Sequence, residues 1–427
     1  MKLRRTSTAS IDHAKASFAR ASLDSCIKCT ICETQCPVME ATELFTGPKY
    51  VGPQAERYRH GMSVDASLDY CSGCSICTTS CPQGVKIAEI NAQARAVMKA
   101  QNGMPLRDRL ITQTELEGKL LTPFAPIANA ALGLKPVRAL VEAVIGVHRD
   151  APMPEAQPYT FMRWFKNHTP IPSEEKRGKI VFFHGCAGGY FEVKTSIATV
   201  QVLELLGYEV LVPKQGCCGL AEQSNGLFEE ATRHVTKLAQ DLNSAGEDLT
   251  IVSSSGSCAG MLRHEAREIM GVHDETLSKV GSRVVETSEF LANLIRTGDF
   301  PVKKLRPIKA TIAYHQPCQV KSQGFGKPAI ELLEAIPGLR VTESGRACCG
   351  IAGTYGLKKE KYDIAQTIGK PLFEKIRKVN PKLSACETET CRWQIRKGTN
   401  AYVVHPVEIL HSALGLSDGI AHLLSKK

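Results

Sequence analysis

Short apolar runs, each followed by a segment with helical periodicity, recur through the second half of the chain. The runs begin at residues 180, 208, 249, 311, 339 and 383. Strands that alternate with helices favour right-handed βαβ units on parallel sheets. The pattern therefore predicts an α/β architecture with parallel sheets for this half of the chain.

These runs form an internal duplication, which predicts one repeat over residues 176–300 and a second over residues 301–427. Each repeat has cysteines where its strands end. The first repeat has Cys186, Cys217, Cys218 and Cys258, and the second has Cys318, Cys348, Cys349, Cys386 and Cys391. Ligands of open parallel sheets bind beyond the carboxyl ends of the strands, so each set should converge on one metal-binding pocket. Buried cysteines with a stray disulfide are the alternative.

A Cys-Cys-Gly sequence follows the second strand of each repeat. Adjacent cysteines in a regular strand point to opposite faces, so this sequence needs a turn. Gly219 and Gly350 would permit the backbone angles or the close approach that such a turn demands.

The first half of the chain shows helical patterns instead. Residues 14–23 predict a short helix and residues 87–100 an alanine-rich one. Residues 47–53 contain two glycines and two prolines, which predicts an ordered turn rather than a helix. Residues 1–100 are therefore expected to form a small helical module.

Residues 101–175 are expected to form an apolar helical connector. Prolines and charges interrupt its apolar stretch, which never reaches the ~18 uncharged residues of a membrane-spanning helix. One helical face carries Val137, Leu140, Val141, Val144 and Ile145. We expect this face to pack on the protein's own core, with an interfacial or partner-binding role as the alternative. Residues 159–168 mix aromatic and cationic side chains, which suits a membrane interface or a domain seam.

Two motifs with the spacing C-x2-C-x2-C-x3-C-P lie in the helical module. In this spacing, typical of a two-cluster ferredoxin, three thiolates of one loop bind one [4Fe-4S] cluster and the fourth binds the other. The sequence therefore predicts one cluster on Cys26, Cys29, Cys32 and Cys81, and a second on Cys71, Cys74, Cys77 and Cys36. Zinc is the alternative, but zinc sites favour pairs of cysteines over a doubled four-cysteine run.

Composition limits the compartment and the partners. The 17 cysteines cluster at metal spacings and no apolar signal-peptide core stands near Met1, so we expect a reducing cytoplasm. The formal net charge of +10 suits nucleic acid, an anionic membrane or an acidic protein, and charge alone does not choose. The sequence has no dinucleotide-binding, Walker or triad motif, so flavin and hydride chemistry should come from a partner.

Several motifs together resemble those of one protein family. They are Cys-Ile-Lys-Cys at 26–29, Gly-Pro-Lys at 47–49, Thr-Pro-Phe-Ala-Pro-Ile at 122–127, Leu-Lys-Pro-Val-Arg at 134–138, Phe-His-Gly-Cys at 183–186, Cys-Cys-Gly-Ile-Ala-Gly-Thr-Tyr-Gly at 348–356 and Cys-Arg-Trp-Gln-Ile at 391–395. The chain resembles the CCG-domain proteins, which include heterodisulfide reductase subunits and the iron–sulfur subunits of glycolate, lactate and glycerol-3-phosphate dehydrogenases. It is most similar to the subunits of the anaerobic glycerol-3-phosphate dehydrogenases.

The resemblance implies an α+β multidomain fold, with an α-helical two-cluster ferredoxin module followed by a duplicated α/β CCG domain with parallel sheets. It also implies a non-catalytic electron-transfer subunit. Such a subunit takes electrons from flavin-containing catalytic subunits of its complex and passes them to membrane quinone, menaquinone in particular. It would dock peripherally on the cytoplasmic side of the inner membrane, and no nucleic acid partner is expected.

Two alternative functions follow from the same resemblance. One is the iron–sulfur subunit of a glycolate or lactate dehydrogenase. The other is a catalytic subunit like those of heterodisulfide reductases, in which the centre at Cys348 and Cys349 would reduce a disulfide.

Both repeats depart from the CCG pattern at their closing cysteine pair. Met261 stands in place of the last cysteine of the first repeat, and a thioether cannot supply a thiolate. Cys386 and Cys391 are two residues further apart than usual. One or two further iron–sulfur clusters are therefore expected in the repeats, with the second repeat favoured. His184 and His315 would either tune a cluster by hydrogen bonding to sulfur or serve as core histidines.

Overall fold

The cysteine-rich first hundred residues fold into short helices beside one longer helix. The computed structural model describes residues 17–59, 64–380 and 382–425. The helices here are α1 (Ser17–Ala21), α2 (Ile31–Thr34), α3 (Pro37–Ala41), α4 (Ala55–Arg57), α5 (Ile76–Thr79) and α6 (Ile87–Asn102), with single turns at Ser22–Ser25, Tyr50–Gln54 and Ala66–Tyr70. Helix α6 confirms the predicted alanine-rich helix. The helix predicted from residue 14 is seen from Ser17, and its first residues lie outside the described ones.

The segment predicted as a turn, residues 47–53, is partly wound into a helical turn. The turn Tyr50–Gln54 is distorted at Gly52, where φ is −96° and ψ is −105°. Gly52 packs so closely on Asn91 of α6 that a Cβ added at Gly52 would lie 2.4 Å from the Asn91 Oδ1 atom. Asn91 also donates a hydrogen bond to the carbonyl of Pro48 at 3.3 Å. The segment is thus held against α6 by contacts that local sequence does not report.

The connector contains α7 (Leu106–Leu110), α8 (Thr114–Leu121), α9 (Ala125–Gly133), α10 (Lys135–Ile145) and α11 (Phe161–Asn167), with a 3₁₀ turn at Thr122–Phe124. Helix α10 confirms the predicted amphipathic helix. Its apolar face packs inward only in part, since Val141 contacts the core whereas Leu140 and Val144 are 63% and 75% exposed. Arg138 takes the inward position, and its guanidinium donates to the carbonyls of Arg149 and Ala151. The expectation that this face packs on the protein's own core is therefore wrong for Leu140 and Val144.

Large exposed apolar side chains recur along helices α7 to α10 and the turns between them. We call this set the apolar connector surface, and it consists of Leu106, Leu116, Leu120, Phe124, Ile127, Leu134, Leu140 and Val144. Single exposed apolar residues are ordinary, whereas large exposed apolar patches mark interaction sites. Over the described ranges, no helix is both long and apolar enough to cross a membrane.

The aromatic segment at residues 159–168 forms a seam with the first repeat. Phe161 is fully buried and packs edge-on against Phe182. Trp164 stacks on His168 with ring centroids 4.2 Å apart, and the His168 Nε2 atom lies 2.7 Å from a carboxylate oxygen of Glu204. These contacts favour the domain-seam interpretation of the segment.

Each repeat is built on a four-stranded parallel sheet. The first sheet has β1 (Gly178–Phe183), β2 (Tyr208–Leu211), β3 (Ile251–Ser253) and β4 (Val284–Glu286), in the spatial order β2-β1-β3-β4. The second has β5 (Ala310–Tyr314), β6 (Leu339–Glu343), β7 (Leu383–Ala385) and β8 (Tyr402–Val404), in the order β6-β5-β7-β8. Every neighbouring pair is parallel, and Ile180 pairs with Val210 as Ile312 pairs with Val341. The predicted parallel sheets and their duplication are confirmed.

Helices cover both faces of each sheet, which explains the apolar runs. The first repeat has α12 (Gly185–Tyr190), α13 (Val193–Leu205), α14 (Leu220–Ser224), α15 (Phe228–Asn243), α16 (Gly256–Gly260), α17 (Ala266–Glu268), α18 (Glu275–Arg283) and α19 (Thr287–Thr297), with a wide turn at Met261–Glu265. The second has α20 (Cys318–Lys321), α21 (Pro328–Glu334), α22 (Tyr362–Val379), α23 (Glu389–Thr399), α24 (Pro406–Ala413) and α25 (Gly419–Ser425), with turns at Val302–Lys304 and Tyr355–Leu357. In β1, Val181 and Phe183 pack in one core cluster and Ile180 and Phe182 in another, so both faces are buried.

A buried ion-pair network joins the two repeats. The carboxylate of Glu192, just before α13, accepts hydrogen bonds from Arg392 at 3.1 Å, Trp393 at 2.6 Å and Arg396 at 2.9 Å, all on α23. Burial opposes ionisation of Glu192, but the two arginines outweigh it and hold the pKa of this carboxyl below its usual range. Helix α13 also packs on α24. The repeats are thus held in one arrangement.

The helical module packs on the second repeat. Val38, Val51 and Leu68 share an apolar cluster with Tyr355 and Ile364. A second tie is ionic, since the buried ammonium of Lys361 lies 2.7 Å from a carboxylate oxygen of Asp69. The boundaries at residues 100, 175 and 300 stay predictions.

Candidate metal centres

The two cysteine motifs of the helical module fold as the same loop. Thr30 and Ser75, which precede α2 and α5, have positive φ angles of 67° and 60°. Lys28 and Gly73, two residues earlier in each motif, have φ angles of 61° and 68°. Left-handed residues between right-handed ones turn successive N–H groups into a concave surface that favours anions. Each loop is therefore shaped for an anionic group held by its cysteines.

The fourth cysteine of each motif lies beside the other motif. Cys81 lies close enough to Cys32 to affect its ionisation, and Cys36 stands in the same relation to Cys71, Cys74 and Cys77. The structure thus brings the cysteines together in the interleaved sets that the spacing predicts. Of the eight, Cys29 is exposed.

Burial opposes ionisation of at least two thiols of the module. Burial raises the pKa of Cys32 to about 11, with smaller contributions from Glu33 and Cys81. Burial likewise raises the pKa of Cys36 to about 11. Metal binding must displace these protons, so the sites gain their stability from the metal rather than from free thiolates.

The four cysteines of the first repeat converge beyond the strand ends. Cys186 follows β1, Cys217 and Cys218 follow β2, and Cys258 follows β3. Cys217 lies close enough to Cys186 and Cys218 for both to affect its ionisation, and the Cys218 and Cys258 sulfurs are 3.2 Å apart. Met261 is fully buried in the apolar core, which gives it a packing role.

The five cysteines of the second repeat form a larger group in the same place. Cys318 follows β5, and Cys348 and Cys349 follow β6. Cys348 lies close enough to Cys318 and Cys349 for both to affect its ionisation, and the Cys349 and Cys391 sulfurs are 3.1 Å apart. Cys386 lies close enough to Cys391 to affect the ionisation of Cys391. Both members of the long-spaced closing pair therefore join the group.

Two constraints, a positive φ angle and a close backbone neighbour, each require glycine in the Cys-Cys-Gly sequences. Gly219 and Gly350 have φ angles of +82° and +90°, which side chains rarely adopt. A Cβ would lie 2.7 Å from the Ala231 carbonyl oxygen in the first repeat and 2.0 Å from that of Ala365 in the second. Both predicted reasons, backbone angle and close approach, are thus present.

The same glycines position the cysteine two residues earlier. The N–H of Gly350 donates to the Cys348 sulfur at 3.3 Å, and Gly219 does the same for Cys217 at 3.4 Å. With the hydrogen bonds from Cys318 and Cys349, this donation holds the pKa of Cys348 below its usual value. The turn therefore favours a thiolate at this position.

All three cysteine regions meet at one cavity of about 180 Å³. Its lining includes Cys74 from the module, Cys186, Cys217, Cys218 and Cys258 from the first repeat, and Cys318, Cys348, Cys349 and Cys391 from the second. Cys74 interacts electrostatically with both Cys318 and Cys348. The module's second loop and the second repeat are therefore neighbours.

His184 and His315 are both buried, but their surroundings differ. The His315 Nδ1 atom lies 3.1 Å from the Ser344 hydroxyl, its Nε2 atom is buried without a hydrogen-bond partner in the described chain, and a ring nitrogen shares a 4.8 Å cluster with the Cys349 and Cys391 sulfurs. Burial lowers the pKa of His315 to about 4, so the ring is neutral at pH 7. The Nε2 atom of His184 is also buried without a hydrogen-bond partner among the described residues, and burial lowers its pKa to about 4. Its ring packs on Phe161 and Phe182, as a core histidine does.

Two residues that were not predicted lie beside Cys217. Glu222 on α14 is buried, and one of its carboxylate oxygens lies 3.2 Å from the Nδ1 atom of His234 on α15. Ligand atoms of Cys217, Glu222 and His234 all lie within 4.8 Å of one another. The second repeat has Gly353 and Ile368 at the matching positions, so comparing the repeats could have singled out this pair.

The donor sets fit iron–sulfur chemistry. All seventeen cysteines are free thiols, and the sets gather four or five sulfurs around one point rather than pairing them off. Thiolates are the protein ligands of such clusters. A cluster bound here would supply a one-electron redox centre.

Comparison with known proteins agrees with this chemistry. Residues 22–85 match the 4Fe-4S dicluster domain, and residues 180–263 and 312–396 match the cysteine-rich domain. The chain is 36% identical over 399 residues to a subunit of the anaerobic glycerol-3-phosphate dehydrogenase of Escherichia coli strain K12, and the match spans 92% of this chain and 99% of that protein.

More distant relatives match part of the chain. One is a subunit of the dihydromethanophenazine:CoB–CoM heterodisulfide reductase of Methanosarcina barkeri strain Fusaro, at 28% identity over 57% of this chain and 61% of that protein. Another is lactate utilization protein A 2 of Bacillus cereus strain 03BB102, at 28% identity over 55% of this chain and 99% of that protein.

A dicluster module joined to two cysteine-rich α/β repeats defines an iron–sulfur subunit of the kind that serves dehydrogenases in electron transfer. The module carries two [4Fe-4S] clusters, and the cysteine-rich domains indicate further metal centres. The chain belongs to the same family as the anaerobic glycerol-3-phosphate dehydrogenase subunit of Escherichia coli.

Replacing the second turn glycine should separate its two roles. Gly350→Ala places a methyl group against the Ala365 carbonyl, so we expect loss of iron from the second repeat and about 2–5 kcal/mol of destabilisation, from backbone strain and overpacking together. The control is Gly345→Ala, whose φ is +63° with no atom within 4 Å of the added Cβ, so only about 1–2 kcal/mol is expected. Iron analysis and thermal unfolding measure both variants, and equal effects would contradict the close-approach argument.

Proposed function

We propose that this chain is the electron-transfer subunit of a glycerol-3-phosphate dehydrogenase complex. It receives electrons from flavin-containing catalytic subunits and passes them to membrane quinone, menaquinone in particular. The observation that carries the proposal is that Cys74 of the module lines the same cavity as Cys318 and Cys348 of the second repeat. This position supports electron transfer between a cluster in the module and a cluster in the second repeat. The name of the Escherichia coli relative supports the substrate of the complex.

The proposed ligands of the module follow the interleaved sets. One [4Fe-4S] cluster is held by Cys26, Cys29, Cys32 and Cys81, and the other by Cys36, Cys71, Cys74 and Cys77. In the second repeat, Cys318, Cys348, Cys349, Cys386 and Cys391 hold a further iron–sulfur cluster. The protein's own contribution is to hold these thiols in place, to exclude water from them and to set their spacing.

Docking at the cytoplasmic side of the inner membrane is part of the proposal. The apolar connector surface offers exposed leucine, isoleucine and phenylalanine side chains, and Arg109, Lys119 and Lys135 lie exposed on the same helices. Apolar side chains with nearby cations suit an anionic lipid interface. A formal net charge of +10 supports the same partner.

A second candidate function is disulfide reduction. The shared cavity of about 180 Å³ exposes cysteines of both repeats to one space, which a small disulfide could enter. The heterodisulfide reductase relative points the same way. Reduction of a disulfide by the isolated chain with an artificial electron donor would favour this function over an electron carrier.

Removing one thiolate from each repeat tests the electron path. Cys349→Ala should remove iron from the second repeat and stop quinone reduction by the assembled complex, because Cys349 contacts both Cys348 and Cys391. Cys218→Ala, the matched change in the first repeat, should reduce activity less. Iron content and glycerol-3-phosphate-dependent quinone reduction are measured, and full iron with full activity in Cys349→Ala would contradict the proposal.

Charging the apolar connector surface tests membrane docking. Leu120→Glu combined with Phe124→Glu should weaken binding to vesicles of anionic phospholipid by tenfold or more, since burying each side chain contributes roughly 1.5–3 kcal/mol. Val302→Glu changes an exposed apolar residue of the second repeat and should bind as the parent does. Vesicle sedimentation at low salt gives the affinities. Unchanged binding of the double variant would exclude this surface from docking.

A further inference from the structure

The first repeat has a second set of metal-ligating side chains next to its cysteines. Cys217 closes the loop after β2, Glu222 lies on α14 and His234 on α15, and their ligand atoms lie within 4.8 Å of one another. The set contains one sulfur, one carboxylate and one imidazole nitrogen. Of the four cysteines of the first repeat, only Cys217 belongs to this set. Met261 packs instead with Cys218 and Cys258 in the apolar core.

Glu222 shows that this set is built for a ligand. Its side chain is 1% exposed, and while one carboxylate oxygen faces His234, the other is buried with no hydrogen-bond partner among residues the structure describes. A buried carboxylate with an unpaired oxygen costs several kcal/mol unless something compensates it. A cation between Glu222, His234 and Cys217 would compensate it.

The second repeat lacks this set and has a different one. Gly353 and Ile368 occupy the positions of Glu222 and His234, counted from the glycine of each Cys-Cys-Gly sequence and from the alanine that each glycine contacts. The second repeat instead has a fifth cysteine, Cys391, where the first has methionine. The repeats therefore differ twice: the first site has one thiolate fewer, and it has a carboxylate and an imidazole that the second site lacks.

We propose that the first repeat holds a single zinc ion on Cys217, Glu222 and His234, in place of an iron–sulfur cluster. A mixed set of thiolate, carboxylate and imidazole suits tetrahedral zinc, and three protein ligands leave the fourth position for water. One thiolate and one carboxylate balance the charge of Zn²⁺. Glu115 adds a nearby negative charge, since its carboxylate accepts the Cys217 N–H at 3.1 Å.

A small movement of the Cys217, Glu222 and His234 side chains would bring their ligand atoms to the distances found around zinc. Zinc bonds of about 2.0–2.3 Å bring ligand atoms to roughly 3.5 Å from one another. The Glu222 and His234 atoms already lie 3.2 Å apart. The His234 side chain is 42% exposed, whereas its Nδ1 atom, which faces Glu222, is buried.

Metal analysis of full-length variants tests the proposal. The parent, purified anaerobically and dialysed against buffer with limiting zinc, should retain about one zinc per chain, and zinc-edge X-ray absorption should show one sulfur among nitrogen and oxygen neighbours. His234→Ala and Glu222→Gln should each lower zinc affinity by more than about tenfold, because even residues that only hydrogen-bond to a metal ligand contribute about that much. The iron content should be unchanged in both variants. Cys391→Ala should do the reverse, losing iron and keeping zinc.

His234 is half-exposed, so His234→Ala should fold normally, which circular dichroism checks. Zinc retained at full affinity in both His234→Ala and Glu222→Gln would identify an adventitious ion and overturn the proposal. An all-sulfur zinc environment would overturn it as well. Loss of iron in His234→Ala would show that the residue serves a cluster instead.

Discussion

The structure depends on bringing buried thiols to one point at the carboxyl ends of two parallel sheets. Burial opposes ionisation of these thiols, but hydrogen bonds from neighbouring sulfurs outweigh it at Cys217 and Cys348, whose pKa values are lowered. In the module, burial raises the thiol pKa values of Cys32 and Cys36, so these two thiols cost free energy to ionise. Only a bound metal offsets that cost, so the fold must place the sulfurs before the metal arrives. The Cys-Cys-Gly turn does this by pressing Gly350 against the Ala365 carbonyl, where no side chain fits.

The relative position of the three cysteine regions rests on two buried charge networks. Glu192 binds both Arg392 and Arg396 across the repeats, and Lys361 ties Asp69 of the module to the second repeat. Removing one partner of the buried Glu192–Arg392 pair should cost about 3–5 kcal/mol, and both networks help to fix which groups face the shared cavity. The proposed electron path therefore depends on how the repeats and the module are joined, as well as on the clusters.

The features that depend on spacing within short segments were predicted from the sequence. The doubled cysteine motif gave the interleaved sets, and the apolar runs gave both sheets, because ligand spacing and strand burial are properties of short segments. The exposure of Leu140 and Val144 was not predicted, since periodicity locates an apolar face without identifying its neighbour. Here Arg138 took the inward position by hydrogen bonding to backbone carbonyls.

Long-range contacts account for the remaining differences. Glu222 and His234 are twelve residues apart and match no known motif, so only the packing of α14 on α15 brings them to Cys217. Pro48 and Gly52 contact Asn91, some forty residues away. Such pairings follow from tertiary structure, which sequence periodicity does not report.

We propose that electrons pass between the module and the second repeat through Cys74 and its neighbours. Pulsed electron paramagnetic resonance of the stepwise reduced protein tests it directly, with Cys349→Ala as the reference that lacks the second-repeat cluster. Adjacent paramagnetic centres should show a magnetic interaction beyond that of the two module clusters, and this interaction should vanish in Cys349→Ala. Identical spectra for the parent and for Cys349→Ala, with the iron of the second repeat present in the parent, would contradict the account.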